Sequence, residues 1–108
     1  MADNFKRTDR VNKQLARFLA EALLHVEDNR LRQVNITRVV VTADLRSAKV
    51  YYTLITPVPD IKTVLNRAQG FLRAELARRS KTRLIPELFF YYDDTMDQIR
   101  AIESLRGK

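Results

Sequence analysis

A helical stripe that runs straight through a glycine is the feature that most constrains this chain. Ile61, Val64, Leu65, Ala68, Leu72 and Leu76 recur at helical spacing between Pro59 and Pro86. Asp60 stands where an N-cap belongs. Gly70 falls inside the stripe, so both halves face one core and the glycine marks a junction rather than an end. A mid-helix glycine costs about 1 kcal/mol relative to alanine. Two gains offset that cost. One is a bend, with φ positive or a turn unwound. The other is the removal of a side chain where another backbone comes close. The plainer reading is a packing glycine or a simple kink. A bent pair would free N–H groups around Phe71 to Arg73, which attract phosphate, with Arg67 and Arg73 beside them.

The segments on either side restrict the fold further. Val11, Leu15, Phe18, Leu19, Ala22, Leu23 and Val26 form one helical stripe, with Thr8 or Asp9 as N-cap and a flexible start over residues 1–6. "DNRLRQ" interrupts it. Val34 to Thr42 is β-branched and reads as a strand whose alternation slips near Arg38, the mark of a bulge. "ADLRS" is a hairpin turn, and Ala48, Val50, Tyr52 and Leu54 alternate with Lys49, Tyr51, Thr53 and Ile55. These two strands pair antiparallel. "ELFFYYDD" is a third strand, and Thr95 with Gln98 spells a capping box. Met96, Ile99, Ile102 and Leu105 then suggest a short closing helix over 95–108. The expected architecture is a single α+β domain with helices packed on one face of a three-stranded sheet. The other face would show Lys49, Tyr51, Phe89 or Tyr91 to solvent, depending on register, unless these rings pack in the core.

Charge narrows the partner. The 108 residues carry a formal charge of +7, which favours polyanions such as RNA, DNA or an acidic membrane surface. With no cysteine, disulfides and thiolate metal sites are excluded, a composition that fits a cytoplasmic protein. "MADNFKRTDR" has no apolar run, and no segment approaches the roughly 18 apolar residues that span a bilayer. Arg10, Lys13 and Arg17 crowd the N-terminal half of the first helix, against the preference of its dipole. Arg78, Arg79, Lys81 and Arg83 crowd the end of the glycine-bearing helix and the loop after it. Cations suit a helix C-terminus, but this run exceeds what capping needs.

Catalytic chemistry has little to stand on. Asp93-Asp94 is the acidic pair that could hold a divalent metal in a nuclease, Glu27 and Asp28 reading as turn and solvent residues, and it lies at a strand end, where aspartate is expected anyway. His25 is the sole histidine and has no evident base or metal partner. No cofactor and no metal site is expected. A protein-interaction module built on exposed Phe89 or Tyr91 is a further alternative.

The stretch "LNRAQGFLRAELARRSKTRLIPELFFYYDD" resembles the signature region of the ribosome-binding factor A family. Asn66, Arg67, Ala68, Gly70, Phe71, Leu72, Arg73, Arg78, Arg79, Pro86, Glu87, Leu88, Asp93 and Asp94 match its pattern. The first helix with Arg10 and Val11 is similar, and so is the hairpin "VTADLRSAKVYYT". The resemblance spans roughly Arg7 to Asp94. It implies a type II KH-like domain of order α-β-β-α-(kink)-α-β, with the kink at Ala68, Gln69 and Gly70. Where KH domains clamp nucleotides with a GxxG loop, this chain has Ala68-Gln69-Gly70, as the family does. The connection "TPVPD" is short. The longer C-terminal extension of many relatives does not follow Lys108, so no subunit contact is expected from one. The resemblance implies a monomeric, non-catalytic assembly factor. It would bind the free small ribosomal subunit near its neck, contact the rRNA, support its processing late in maturation, and leave before the large subunit joins, with an assembly GTPase promoting release. The expected RNA contacts are Arg10, Lys13, Arg17, Arg67, Gly70, Arg73, Arg78, Arg79, Lys81 and Arg83, with Arg46 and Lys49 second-tier. The alternative is a generic KH-like RNA-binding or protein-interaction module unrelated to ribosome assembly.

Overall fold

In the computed structural model, which describes residues 2–82 and 84–106, five helices and three strands follow one another. They are α1 (Ala2–Leu24), α2 (Asn29–Arg32), β1 (Val34–Val41), β2 (Ser47–Leu54), α3 (Ile61–Arg67), α4 (Gln69–Arg79), β3 (Glu87–Tyr92) and α5 (Thr95–Arg106). The strands lie in the order β1-β2-β3, antiparallel then parallel. A parallel pair needs a crossover longer than a tight turn, and α3 with α4 supply it.

Alternation dictates which side is covered. Val39, Val41, Ala48, Val50, Tyr52, Leu88 and Phe90 point inward and are buried. Against them pack Leu15, Leu19, Ala22 and Leu23 of α1, Ile61, Val64 and Leu65 of α3, and Leu72 and Leu76 of α4. The slip near Arg38 is a bulge. Ile36 pairs with Tyr52 and Arg38 with Tyr51, which leaves Thr37 as the extra residue. Without it Arg38 would follow Val34 and Ile36 toward the core. The inserted residue reverses the phase, turns Arg38 outward and brings Val39 and Val41 inside.

Several local expectations are corrected. α1 begins at Ala2, so Thr8 and Asp9 lie within it rather than capping it, and the segment expected to be a loose start is helical from Ala2. "DNRLRQ" contains α2, capped by Asp28, whose carboxylate accepts the Arg30 N–H at 2.9 Å. Asp60 occupies the position before α3, but its backbone is left-handed (φ 55°) and its side chain makes no cap bond. The Thr95–Gln98 box does not form. Asp93 accepts the Thr95 N–H at 3.0 Å, and Asp94 accepts the Gln98 side-chain amide at 3.1 Å. α5 does not close over the core: Met96, Ile99 and Ile102 stay exposed.

Candidate nucleic-acid interface

The glycine stripe is broken at Ala68, two residues before the glycine. Ala68 ends α3 and precedes α4 with φ −82° and ψ 0°, and its N–H is shared between the Val64 and Leu65 carbonyls at 3.1 Å each. α4's ladder is under way when the Leu72 N–H reaches the Ala68 carbonyl at 2.9 Å. The first-turn N–H groups of α4 are therefore those of Gln69, Gly70 and Phe71, not Phe71 to Arg73. Gly70 has no positive φ, and a Cβ built on it meets nothing within 4 Å. Neither backbone strain nor an intramolecular close approach requires glycine there.

Gln69 holds the joint. Its side-chain N–H donates to the Leu88 carbonyl at 2.8 Å, and its carbonyl accepts the Leu88 N–H at 2.7 Å. The amide thus pairs with β3 as a neighbouring strand would. Arg73 is likewise structural in part, since Nε donates to the Pro86 carbonyl at 3.1 Å and Nη2 to that of Ile85 at 2.9 Å. The sequence places Gln69 in the kink with Ala68 and Gly70, but nothing in it predicts a long-range partner.

The expected cations divide between faces. About nine residues separate Gly70 from Arg79, or some 14 Å along the α4 axis. At the far end, Arg7, Gln14, Arg17 and Phe18 of α1 meet Leu45 of the β1–β2 turn and Arg79, Lys81 and Leu84 around the end of α4, and enclose a groove of about 520 Å³. Arg10 stands two helical turns before Arg17 and flanks the same side. Arg7 belongs to this set although the expected RNA contacts leave it out. Arg46 sits in the adjoining turn, exposed. Lys13 turns instead toward the β1 side of α1, within reach of Asp9 at 3.5 Å. Lys49 is on the outer sheet face, paired with Val40 and Phe89. Arg67 is exposed beside the joint. Arg83 lies outside the described residues.

An ion chain joins the helices beside the groove. Arg78 donates to both Glu75 oxygens at 2.7 Å, Arg79 bridges Glu75 at 3.3 Å and Glu21 at 3.5 Å, and Arg17 approaches Glu21 at 3.9 Å. The Arg78 hydrogen bonds hold the Glu75 carboxyl below the ordinary glutamate range. Three arginines on two glutamates leave net positive charge. The Arg79 side chain is only 24% exposed, whereas those of Arg78 and Arg17 are 71% and 66% exposed. Arg79 therefore ties α4 to α1, and its neighbours present their guanidinium groups to solvent. Beside the joint the concave surface gathers no cations of this kind. Val26, Leu31, Ala68 and Phe71 line it with His25, Glu27 and Asp28, and the Asp28 carboxylate is paired with Arg30 at 2.8 Å. Among the described residues no cluster of three or more His, Cys, Asp or Glu is placed to hold a metal. Asp93 is instead held by Thr37, whose hydroxyl donates at 2.6 Å.

A three-stranded mixed sheet covered on one face, with a broken helix in its crossover and a cationic groove at one end, defines a KH-like α+β domain. The sequence pattern of the family described as Ribosome-binding factor A matches residues 7–106. The chain belongs to that family. It is 41% identical to ribosome-binding factor A of Methylobacillus flagellatus, over 97% of this chain and 86% of that one. It is 40% identical to that of Legionella pneumophila, over 97% and 88%. The crystal structure of ribosome-binding factor A from Thermus thermophilus superposes with a TM-score of 0.72 at 32% identity, covering 79% of this chain and 94% of that one. Similar too, at TM-score 0.67 and 32% identity over 77% and 91% of the two chains, are coordinates of the Thermus thermophilus factor fitted into the cryo-EM map of a 30S–RbfA complex.

Proposed function

We propose that this chain is a non-catalytic assembly factor that binds the free small ribosomal subunit and its rRNA. It supports rRNA processing late in maturation and departs, with help from an assembly GTPase, before the large subunit joins. Membership of the family and a relative fitted to a 30S complex support the partner. The observation that carries the chemistry is the groove between α1 and the end of α4, where Arg7, Arg17, Arg79 and Lys81 converge. Arg7, Arg10, Arg17, Arg78 and Lys81 supply the phosphate contacts, while Arg73 and Arg79 hold the framework that presents them. Such contacts position a protein without reading sequence, so selectivity comes from RNA shape. The protein acts as a monomer and favours one rRNA arrangement by its difference in affinity for the alternatives.

Co-sedimentation with purified small subunits tests this. Five phosphate contacts predict that affinity falls several hundredfold between 50 and 200 mM salt. The protein should travel with free small subunits and be missing from joined ribosomes. A flat salt response, or equal recovery with joined ribosomes, rejects the reading.

A further inference from the structure

The outer face of the sheet carries an ordered array that the groove does not use. Arg38 of β1 lays its guanidinium 4.1 Å from the Tyr51 ring centroid. Tyr51 of β2 meets Tyr91 of β3 at 5.8 Å, tilted by 33°. Lys62, from the first turn of α3, places its ammonium 5.2 Å from the Tyr91 ring. One row thus reads cation, ring, ring, cation across all three strands. The next row, two residues along, sets Lys49 beside Phe89. Phe89 is 41% exposed and Tyr91 40%. No helix among the described residues covers these rings.

We propose that this face is a stacking platform for a short single-stranded RNA segment, separate from the basic groove. The two rows lie about 6.6 Å apart along the strands, a step that an extended strand spans from one base to the next. Bases stack on Phe89 and Tyr91, and Lys49 and Lys62 receive the phosphates between them. Charge selects the occupant. None of Arg38, Lys49 and Lys62 has a carboxylate within ion-pair distance among the described residues. An apolar protein surface docked here would desolvate three cations that lack a direct ion-pair partner, of which only Arg38 feels a nearby carboxylate, Asp93, whereas a single strand brings both π faces and phosphates. Glu87, on the outer side next to this array, and Asp93, held by Thr37 and Thr95, sit at its margins. The inference rests on the reading that the chain binds ribosomal RNA, but it uses different residues.

The test is fluorescence anisotropy with a labelled six-nucleotide single strand and, separately, a short RNA duplex. The proteins are the parent chain, Phe89→Ala, Tyr91→Ala and the groove variant Lys81→Glu, each first checked by thermal melting. Base stacking is worth about 1–3 kcal/mol per base, so each sheet variant should weaken the single strand roughly 5- to 150-fold. Duplex binding should stay within about twofold, because phosphate contacts in the groove are untouched. Lys81→Glu should do the reverse. The proposal is overturned if the parent binds the single strand no better than the two sheet variants, or if those variants lose single strand and duplex alike. It is also overturned if the sheet variants change self-association and leave RNA binding intact. Failure of the groove reading shows separately, as a Lys81→Glu variant that still co-sediments with small subunits like the parent.

Discussion

Replacing Gly70 by alanine should make the protein more stable. Glycine in a helix is about 0.8–1.0 kcal/mol less favourable than alanine, partly because it loses more chain entropy on folding. The usual reasons to keep it fail here. Its φ is not positive, and an added Cβ has open space for 4 Å. Gly70 stands in the first turn of α4 rather than its interior, so the gain is nearer ~0.5–1 kcal/mol. For a domain of about this size that raises Tm by roughly 2–8 °C. Differential scanning calorimetry reads it directly. A variant that melts below the parent refutes the reasoning, because it would mean the α4 backbone at Gly70 is not relaxed. The same variant asks why the glycine is there. If a partner's backbone or phosphate comes close at this position, small-subunit binding weakens while Tm rises. If binding is unchanged, the glycine has no part in docking.

Other substitutions separate scaffold from contact. Gln69→Ala removes both amide bonds to Leu88 and should cost about 1–3 kcal/mol in urea denaturation, the usual range for leaving partly buried polar groups unpaired. A parent-like midpoint would show that the amide does not hold the joint. Arg79→Ala should lower Tm, since it unlinks Glu75 from Glu21. Lys81→Ala should leave stability within about half a kcal/mol of parent and weaken only subunit binding; the opposite assignment would sink the division between framework and contact residues. Thr37→Val should raise the Asp93 carboxyl, which the Thr37 and Thr95 bonds hold at about 2, toward the ordinary value near ~3.9. The folded-state value is depressed, so these bonds stabilise the protein above about pH 4 and are lost as pH falls through 2. NMR titration of the Asp93 carboxyl in the two proteins checks it.

Much of the molecule is legible in the chain because burial imposes a period. The stripe of α1, the alternation of β2 and β3, and the apolar positions shared by α3 and α4 each announce their core face. So does the bulge, since an inserted residue must disturb the alternation, and the disturbance is visible at Arg38. Capping is less legible. Asp28 caps a helix that "DNRLRQ" scarcely advertises, and Asp93 and Asp94 take the bonds that Thr95 and Gln98 are spaced to exchange. A cap needs one short contact, and several nearby side chains can make it.

The candidate site shows the deeper limit. In the sequence Arg73, Arg79 and Lys81 read alike as cations free to meet phosphate. Yet Arg73 holds two carbonyls, Arg79 bridges two glutamates, and Lys81 is exposed on the groove. By itself the sequence determined the strands and the long core-facing helices, their inward faces and the excess of positive charge, because these follow from local spacing and composition. Only the tertiary structure decided which cations meet in one groove, which are tied into the scaffold, and that Tyr51 and Tyr91 form a row between Arg38 and Lys62. Those outcomes depend on contacts between residues far apart in the chain, and no local period encodes a distant partner.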